Sequence, residues 1–161
     1  MIDAASVRAA VAGVPDPEIP TLTIEDLGIL RDVRVDERGH VEVDLTPTYS
    51  GCPATEVIRR DVEHALAAHG VRDATVRTVL SPAWTTDWIS PAGRRKLERT
   101  GIAPPAHIGT AQALPLRALA VRCPQCGSEH TTELSRFGST PCKALRRCGD
   151  CREPFDHFKP H

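Results

Sequence analysis

Two cysteine pairs, Cys123-Pro124-Gln125-Cys126 and Cys148-Gly149-Asp150-Cys151, constrain the C-terminal part of this chain more than any other feature. Each C-x-x-C turn sets two thiolates side by side with backbone amides aimed at sulfur. Two such turns complete a tetrahedron around one ion. Four thiolates saturate Zn²⁺ and leave no open position, which makes the expected site structural, with zinc as its cofactor. The 21 residues from 127 to 147 suit a hairpin that folds one turn over the other, slightly beyond the usual spacing of about 15 to 20. Thiolate ligation alone does not name the metal, so an iron-sulfur cluster is the rival occupant. Cys142 lies close by in sequence. It either replaces one of the four or stands as an additional thiol activated by Lys143, Arg146 and Arg147, or it is an incidental loop residue. The same three cations read as a solvated face before they read as a nucleic-acid contact.

The remaining sequence bounds the rest of the molecule. At 161 residues there is room for one ordinary domain and one small domain that needs a metal to persist. The net charge of -1 gives no global reason to expect nucleic acid or an anionic membrane as partner. No signal-peptide pattern or long apolar run is present, and a cytoplasmic location is expected. In that reducing compartment six cysteines point to metal rather than to disulfides.

Asp3 caps an expected helix with Val7, Ala10, Val11 and Val14 on one face and Gly13 near its end. Pro15, Pro17 and Pro20 stiffen the loop that follows. Alternating runs at 30–35 and 41–45, joined by Asp36-Glu37-Arg38-Gly39, predict an antiparallel hairpin with one wet face. An amphipathic helix with Ala54, Val57, Ile58, Val62, Ala65 and Leu66 on one side ends at Gly70, and a strand follows from about 74 to 80. A short basic helix is expected over 91–100. The predicted fold class is α+β, an α-β-β-α-β small sheet with helices on one face, plus a C-terminal zinc-ribbon β module. The expected boundaries are a first domain at 1–102, a linker at 103–118 and a zinc ribbon at 119–161.

In the larger domain Cys52 stands between Gly51 and Pro53, where a strand end meets a helix start, with Pro53 expected at the first helical position. The unpaired amides and positive dipole end there favour a thiolate. Alone, the residue also reads as a small cap. Asp16 and Glu18, held by the proline-rich loop, are candidate carboxylate neighbours or solvated loop charges. Trp84 and Trp88 are expected to pack under the 91–100 helix. His40, His64 and His69 lack metal spacing and read as surface residues, and His157 and His161 carry no assignment.

Asp16-Pro17-Glu18-Ile19-Pro20, Leu27-Gly28-Ile29, Thr48-Tyr49-Ser50-Gly51-Cys52-Pro53 and Pro82-Ala83-Trp84-Thr85 together resemble the SufT-like family of iron-sulfur maturation domains. Arg136-Phe137-Gly138-Ser139-Thr140-Pro141-Cys142-Lys143-Ala144-Leu145 and Glu153-Pro154-Phe155-Asp156, set in a zinc ribbon, look like the PaaD proteins of bacterial phenylacetate degradation. The resemblance implies a non-catalytic accessory component of a multicomponent phenylacetyl-CoA epoxidase, with its reductase or oxygenase subunits as partners. It makes Cys52, with Asp16 and Glu18 beside it, the contact for iron or a transient Fe-S cluster. A homodimer would let one thiol per copy share such a cluster. The competing reading is a structural subunit that bridges oxygenase and reductase. An independent enzyme has little support, since no Ser/His/Asp set, phosphate-cradling glycine loop or nucleotide fingerprint occurs.

Overall fold

The computed structural model describes residues 3–109 and 120–161, which form two compact units, Met1–Trp84 and Thr85–His161. In the first unit, helix α1 (Ala4–Ala12) begins where the Asp3 carboxylate accepts from the Ser6 amide at 2.9 Å, satisfying an amide that the helix cannot pair itself. Val7 and Val11, one turn apart, are fully buried. Strand β1 (Leu30–Val35) pairs antiparallel with β2 (Val41–Leu45), and helix α2 (Ala54–Ala68) returns the chain so that β3 (Ala74–Thr78) lies parallel to β2. The sheet order is β1-β2-β3, and the element order is the expected α-β-β-α-β. Val41, Val43 and Leu45 of β2 face the core with Ile58, Val62 and Leu66 of α2, all nearly inaccessible to solvent.

The other sheet face carries a charge network. The Arg34 guanidinium donates to Glu42 at 3.1 Å, to Asp44 at 2.8 Å and to Asp32, and Arg77 donates to Asp44 at 3.0 Å. Burial alone would raise the Asp44 carboxyl, but bonds from Arg77 and Arg34 outweigh it and hold its pKa below the usual carboxylate value.

The second unit holds a 3-10 turn (Thr86–Trp88), helix α3 (Pro91–Arg99), and a four-stranded sheet in the order β4-β7-β6-β5. Its strands are β4 (Ile102–Ala103), β5 (Thr131–Ser135), β6 (Lys143–Cys148) and β7 (Pro154–Phe158). α3 starts at the expected signal, with the Ser90 hydroxyl accepting from the Gly93 amide at 2.9 Å and Pro91 opening the first turn.

The compact units divide at residue 84 rather than at 102. Residues 85–103 lie in the second unit because Ile102 and Ala103 pair parallel with Asp156 and His157 of β7, and α3 packs on β4. Two-residue pairing leaves no periodic trace in sequence. Of the linker expected at 103–118, residue 103 is strand, 104–109 have no regular structure, and 110–118 lie outside the described residues. Trp84 is buried in the first unit, where its indole N–H donates to the Leu27 carbonyl at 2.8 Å, and Trp88 is half-buried in the second. No helix among the described residues is long and apolar enough to cross a membrane.

Asp44→Asn is expected to destabilise the first unit by about 1–2 kcal/mol at pH 7, by weakening charge-assisted bonds to two guanidiniums. Because the folded-state pKa is depressed, that contribution is present above the unfolded value and fades as pH falls through the folded one. Urea titrations at neutral and acid pH check it, with the difference from the parent chain shrinking in acid.

Candidate metal centre

The two C-x-x-C turns precede β5 and join β6 to β7, and the hairpin between them brings all four sulfurs together. The Sγ atoms of Cys123, Cys126, Cys148 and Cys151 lie within 4.8 Å of one another. Cys123 and Cys151 are 3.7 Å apart, and Cys126 and Cys148 are 3.6 Å apart. A disulfide would hold two sulfurs at about 2.05 Å, whereas a regular tetrahedron with bonds of about 2.3 Å puts its corners about 3.8 Å apart. The spacing fits a tetrahedral thiolate site. Among the described residues this is the one group of three or more Cys, His, Asp or Glu side chains placed to hold a metal.

Backbone amides serve the sulfurs as the turn geometry requires. The amide of Ser128 bonds to Cys126, those of Cys151 and Asp150 bond to Cys148, and that of Glu153 bonds to Cys151. The residue after each turn, Gly127 at φ +76° and Arg152 at φ +69°, takes the left-handed conformation that reverses the chain. The Cys148 thiol, served by the Cys151 and Asp150 amides, is lowered to about 6. At Cys151 the Glu153 amide lowers the pKa, but desolvation and the neighbouring sulfurs outweigh it and push the thiol up to about 12.

Apolar packing and a polar strap complete the centre. Cys123 and Cys148 are buried with Ala103 of β4 and Phe155 of β7, so the turns acquire apolar neighbours that their own sequence lacks. Ser128 bonds to the Asp150 carboxylate, and the His130 ring contacts the same group at 3.3 Å, tying the segment after the first turn to the second. A side chain at Gly149 would meet the His130 ring at 2.5 Å and displace it from Asp150. Sequence reading missed Ser128, His130, Asp150, Gly149 and Arg152. Outside the turns, single polar residues carry no spacing signal.

Cys142 is not a member of the quartet. It is buried on the approach to β6, with its sulfur 3.0 Å from the Thr140 hydroxyl. Lys143, Arg146 and Arg147 do not form one solvated face: they lie on β6, Lys143 is buried, and Arg146 is half-buried with Glu133 at 3.7 Å. His157 is a core residue of β7, lowered to about 4 by burial and then by Arg146.

In the first unit Cys52 lies just before α2, with Pro53 as the capping residue at helical φ and ψ and Ala54 opening the helix. The Cys52 amide donates to the Tyr49 carbonyl at 3.3 Å, Gly51 turns the chain at φ +87°, and the thiol is partly exposed. A cleft of about 220 Å³ lined by Thr46, Tyr49, Leu80, Ala83 and Trp84 adjoins the loop that leads to it. Asp16 is buried rather than solvated, its carboxylate accepting from the amides of Glu18 at 2.9 Å and Ile19 at 2.8 Å, while Glu18 is exposed. The structure does not gather Cys52, Asp16 and Glu18 into a ligand group.

Comparison with known proteins divides along the same lines. Residues 4–79 match the iron-sulfur cluster assembly protein family, and residues 109–159 match the PaaD zinc beta ribbon domain. The chain is 51% identical over 153 residues to an Escherichia coli protein named as a subunit of 1,2-phenylacetyl-CoA epoxidase, covering 95% of this chain and 90% of that one. It is 37% identical over 86 residues to the Fe-S protein maturation auxiliary factor YitW of Bacillus subtilis, covering 53% of this chain and 83% of that one. A crystal structure of a domain of unknown function from Bacillus anthracis superposes with a TM-score of 0.55 at 29% identity, covering 58% of this chain and 90% of that one.

Metal binding here must release protons, so affinity is expected to rise as pH increases from about 6 to 8 and the metal to dissociate in acid. Cys148→Ser should abolish stoichiometric metal and unfold the second unit. Cys142→Ser should leave metal content unchanged. Elemental analysis with circular dichroism checks all three outcomes.

Proposed function

This chain belongs to the PaaD family, whose Escherichia coli relative is named as a 1,2-phenylacetyl-CoA epoxidase subunit, and on that premise we propose that it is a maturation factor for the epoxidase rather than a catalyst within it. It assists insertion of iron or an Fe-S cluster into the reductase or oxygenase subunits, in the reducing cytoplasm. Zinc is the resident ion of the quartet, where Cys123, Cys126, Cys148 and Cys151 would hold it and where its part is to organise the second unit.

The distribution of the six cysteines carries this reading. Four are committed to a closed tetrahedral set, Cys142 is buried, and Cys52 alone is outside the set with its sulfur partly exposed. A saturated four-thiolate site exchanges its ion reluctantly and offers no position to a second ligand. Cargo iron therefore meets this chain at Cys52, in the unit that matches the cluster-assembly family. Asp16 fixes the 16–19 turn of the same unit, and Glu18 is the exposed carboxylate of that turn. With one thiol and no gathered ligand group of its own, the chain holds cargo only while the client completes the coordination. Such loose attachment suits transfer.

Replacing Cys52 by Ser in cells is expected to lower the iron or cluster content of the purified client subunits several-fold, with the level of this protein unchanged. Cys142→Ser should have no such effect. Full client occupancy in the Cys52→Ser strain, together with stoichiometric co-purification of this chain with the active complex, would overturn the proposal and establish a bridging subunit.

A further inference from the structure

Edge strands expose unpaired amides and carbonyls, and proteins blunt them unless another chain is meant to pair there. Four edges occur among the described strands, and three are blunted. The β1 pairing carries an irregularity between Leu30 and Asp32, the β5 pairing carries one between Glu133 and Ser135, and β4 is only two residues long. β3 is different. It runs five residues in unbroken register beside β2, contains no proline, and has no strand on its other side.

The faces of β3 are equally unfinished. Ala74, Val76 and Thr78 continue the row that begins with Val41, Val43 and Leu45 in the register of the sheet. The β2 residues are at most 2% exposed, whereas Ala74 and Thr78 are exposed and Val76 is only half-buried. Just beyond, Leu80 is 59% exposed. An apolar face therefore runs past the last covered strand and stops in solvent.

Parity and charge together select what fits this edge. The Asp73 carbonyl and the Val79 amide bond toward β2, at the Val41 amide and the Leu45 carbonyl, so the amides and carbonyls of Ala74, Val76 and Thr78 point to the open side. An antiparallel second copy must set such residues opposite one another, and the two-fold axis can fall on residue 75, 76 or 77. An axis at Arg77 opposes two guanidiniums, and an axis at Val76 leaves Arg77 facing Thr75. An axis at Thr75 places Asp73, which meets the His40 ring at 2.9 Å, opposite the second copy's Arg77, which already bonds Asp44 at 3.0 Å, and Arg77 opposite its Asp73, so that two complementary pairs extend existing charge clusters on the polar face. The same register sets Val76 against Ala74 on the apolar face.

We propose that β3 is the homodimer surface of this protein, pairing antiparallel with β3 of a second copy about a two-fold axis at Thr75 to make one continuous six-stranded sheet. The interface is isologous, as a symmetric dimer requires. Strand pairing of this length is at the small end of specific interfaces, which places the dissociation constant at about 10–100 µM. The arrangement has a consequence for the cysteines. β3 is parallel to β2, whose C-terminal end leads toward Cys52, so antiparallel pairing sends the two Cys52 loops to opposite ends of the joint sheet. The two copies do not share one cluster through these thiols.

Cysteine scanning of the full chain reads both the dimer and its register. Residues at a non-hydrogen-bonded antiparallel position have Cα atoms about 4.5 Å apart, within the disulfide range of about 4.4–6.8 Å. Thr75→Cys at about 100 µM should form a reducible dimer at least tenfold faster than Asp32→Cys, an exposed control on the opposite edge of the same face. Light scattering of the parent chain should show a concentration-dependent dimer. Asp73→Arg and Arg77→Asp should each weaken it about tenfold, while an equimolar mixture of the two restores it, because both contacts then join opposite charges. Val76→Pro, which removes only an outward amide, should be monomeric with unchanged circular dichroism. A monomeric parent chain at 100 µM, faster cross-linking at 76 or 77 than at 75, or no restoration on mixing would overturn the proposal. So would blockade of β3 by a client peptide in place of the second copy.

Discussion

Four sulfurs at tetrahedral spacing are the constraint from which the second unit follows. Its sheet is small, and one part of its core gathers around the cysteines themselves, with Ala103 and Phe155 closing over Cys123 and Cys148, while Ile89, Leu97, Ala144 and Phe158 are buried elsewhere in the unit. Stability in such a unit comes from ligation, since thiolates held a few ångströms apart repel until a cation neutralises them. Turn amides aimed at sulfur, left-handed residues at 127 and 152, and the Ser128, His130 and Asp150 strap all serve to hold that spacing. Remove the ion and these devices have nothing to organise.

The first unit rests on a different principle. Its core is formed by aliphatic side chains from α1, α2 and the inner face of a three-stranded sheet, and its outer face is stitched by Arg34, Arg77 and Asp44. No ion is needed for that, which leaves its single cysteine at liberty for chemistry that a saturated site cannot perform. In the role proposed above, structural metal and cargo metal fall to separate units, so that a resident ion does not compete for Cys52. The same economy of strands leaves β3 paired on one side only among the described strands.

Local patterns were readable wherever a single element carries its own signal. Asp3 and Ser90 mark helix starts by capping chemistry, alternation marks the 30–45 hairpin, and C-x-x-C spacing marks the quartet, each within a residue or two of the observed positions. Contacts between distant segments were not readable. Nothing in Ile102-Ala103 announces a strand, nothing near Trp84 announces the Leu27 carbonyl as its partner, and nothing in Asp16 shows that its carboxylate is turned onto its own loop.

From composition and spacing alone, this chain is determined to be a small α+β domain joined to a ribbon that needs a metal. Those properties depend on ligand number, periodicity and capping, which are local and additive. Tertiary structure alone decided that Cys142 stays out of the quartet, that residues 85–103 pack with the ribbon, and that β3 keeps an open edge. Each of these is settled by which surfaces meet when the chain closes on itself, and burial is a property of the packed chain rather than of any residue in it.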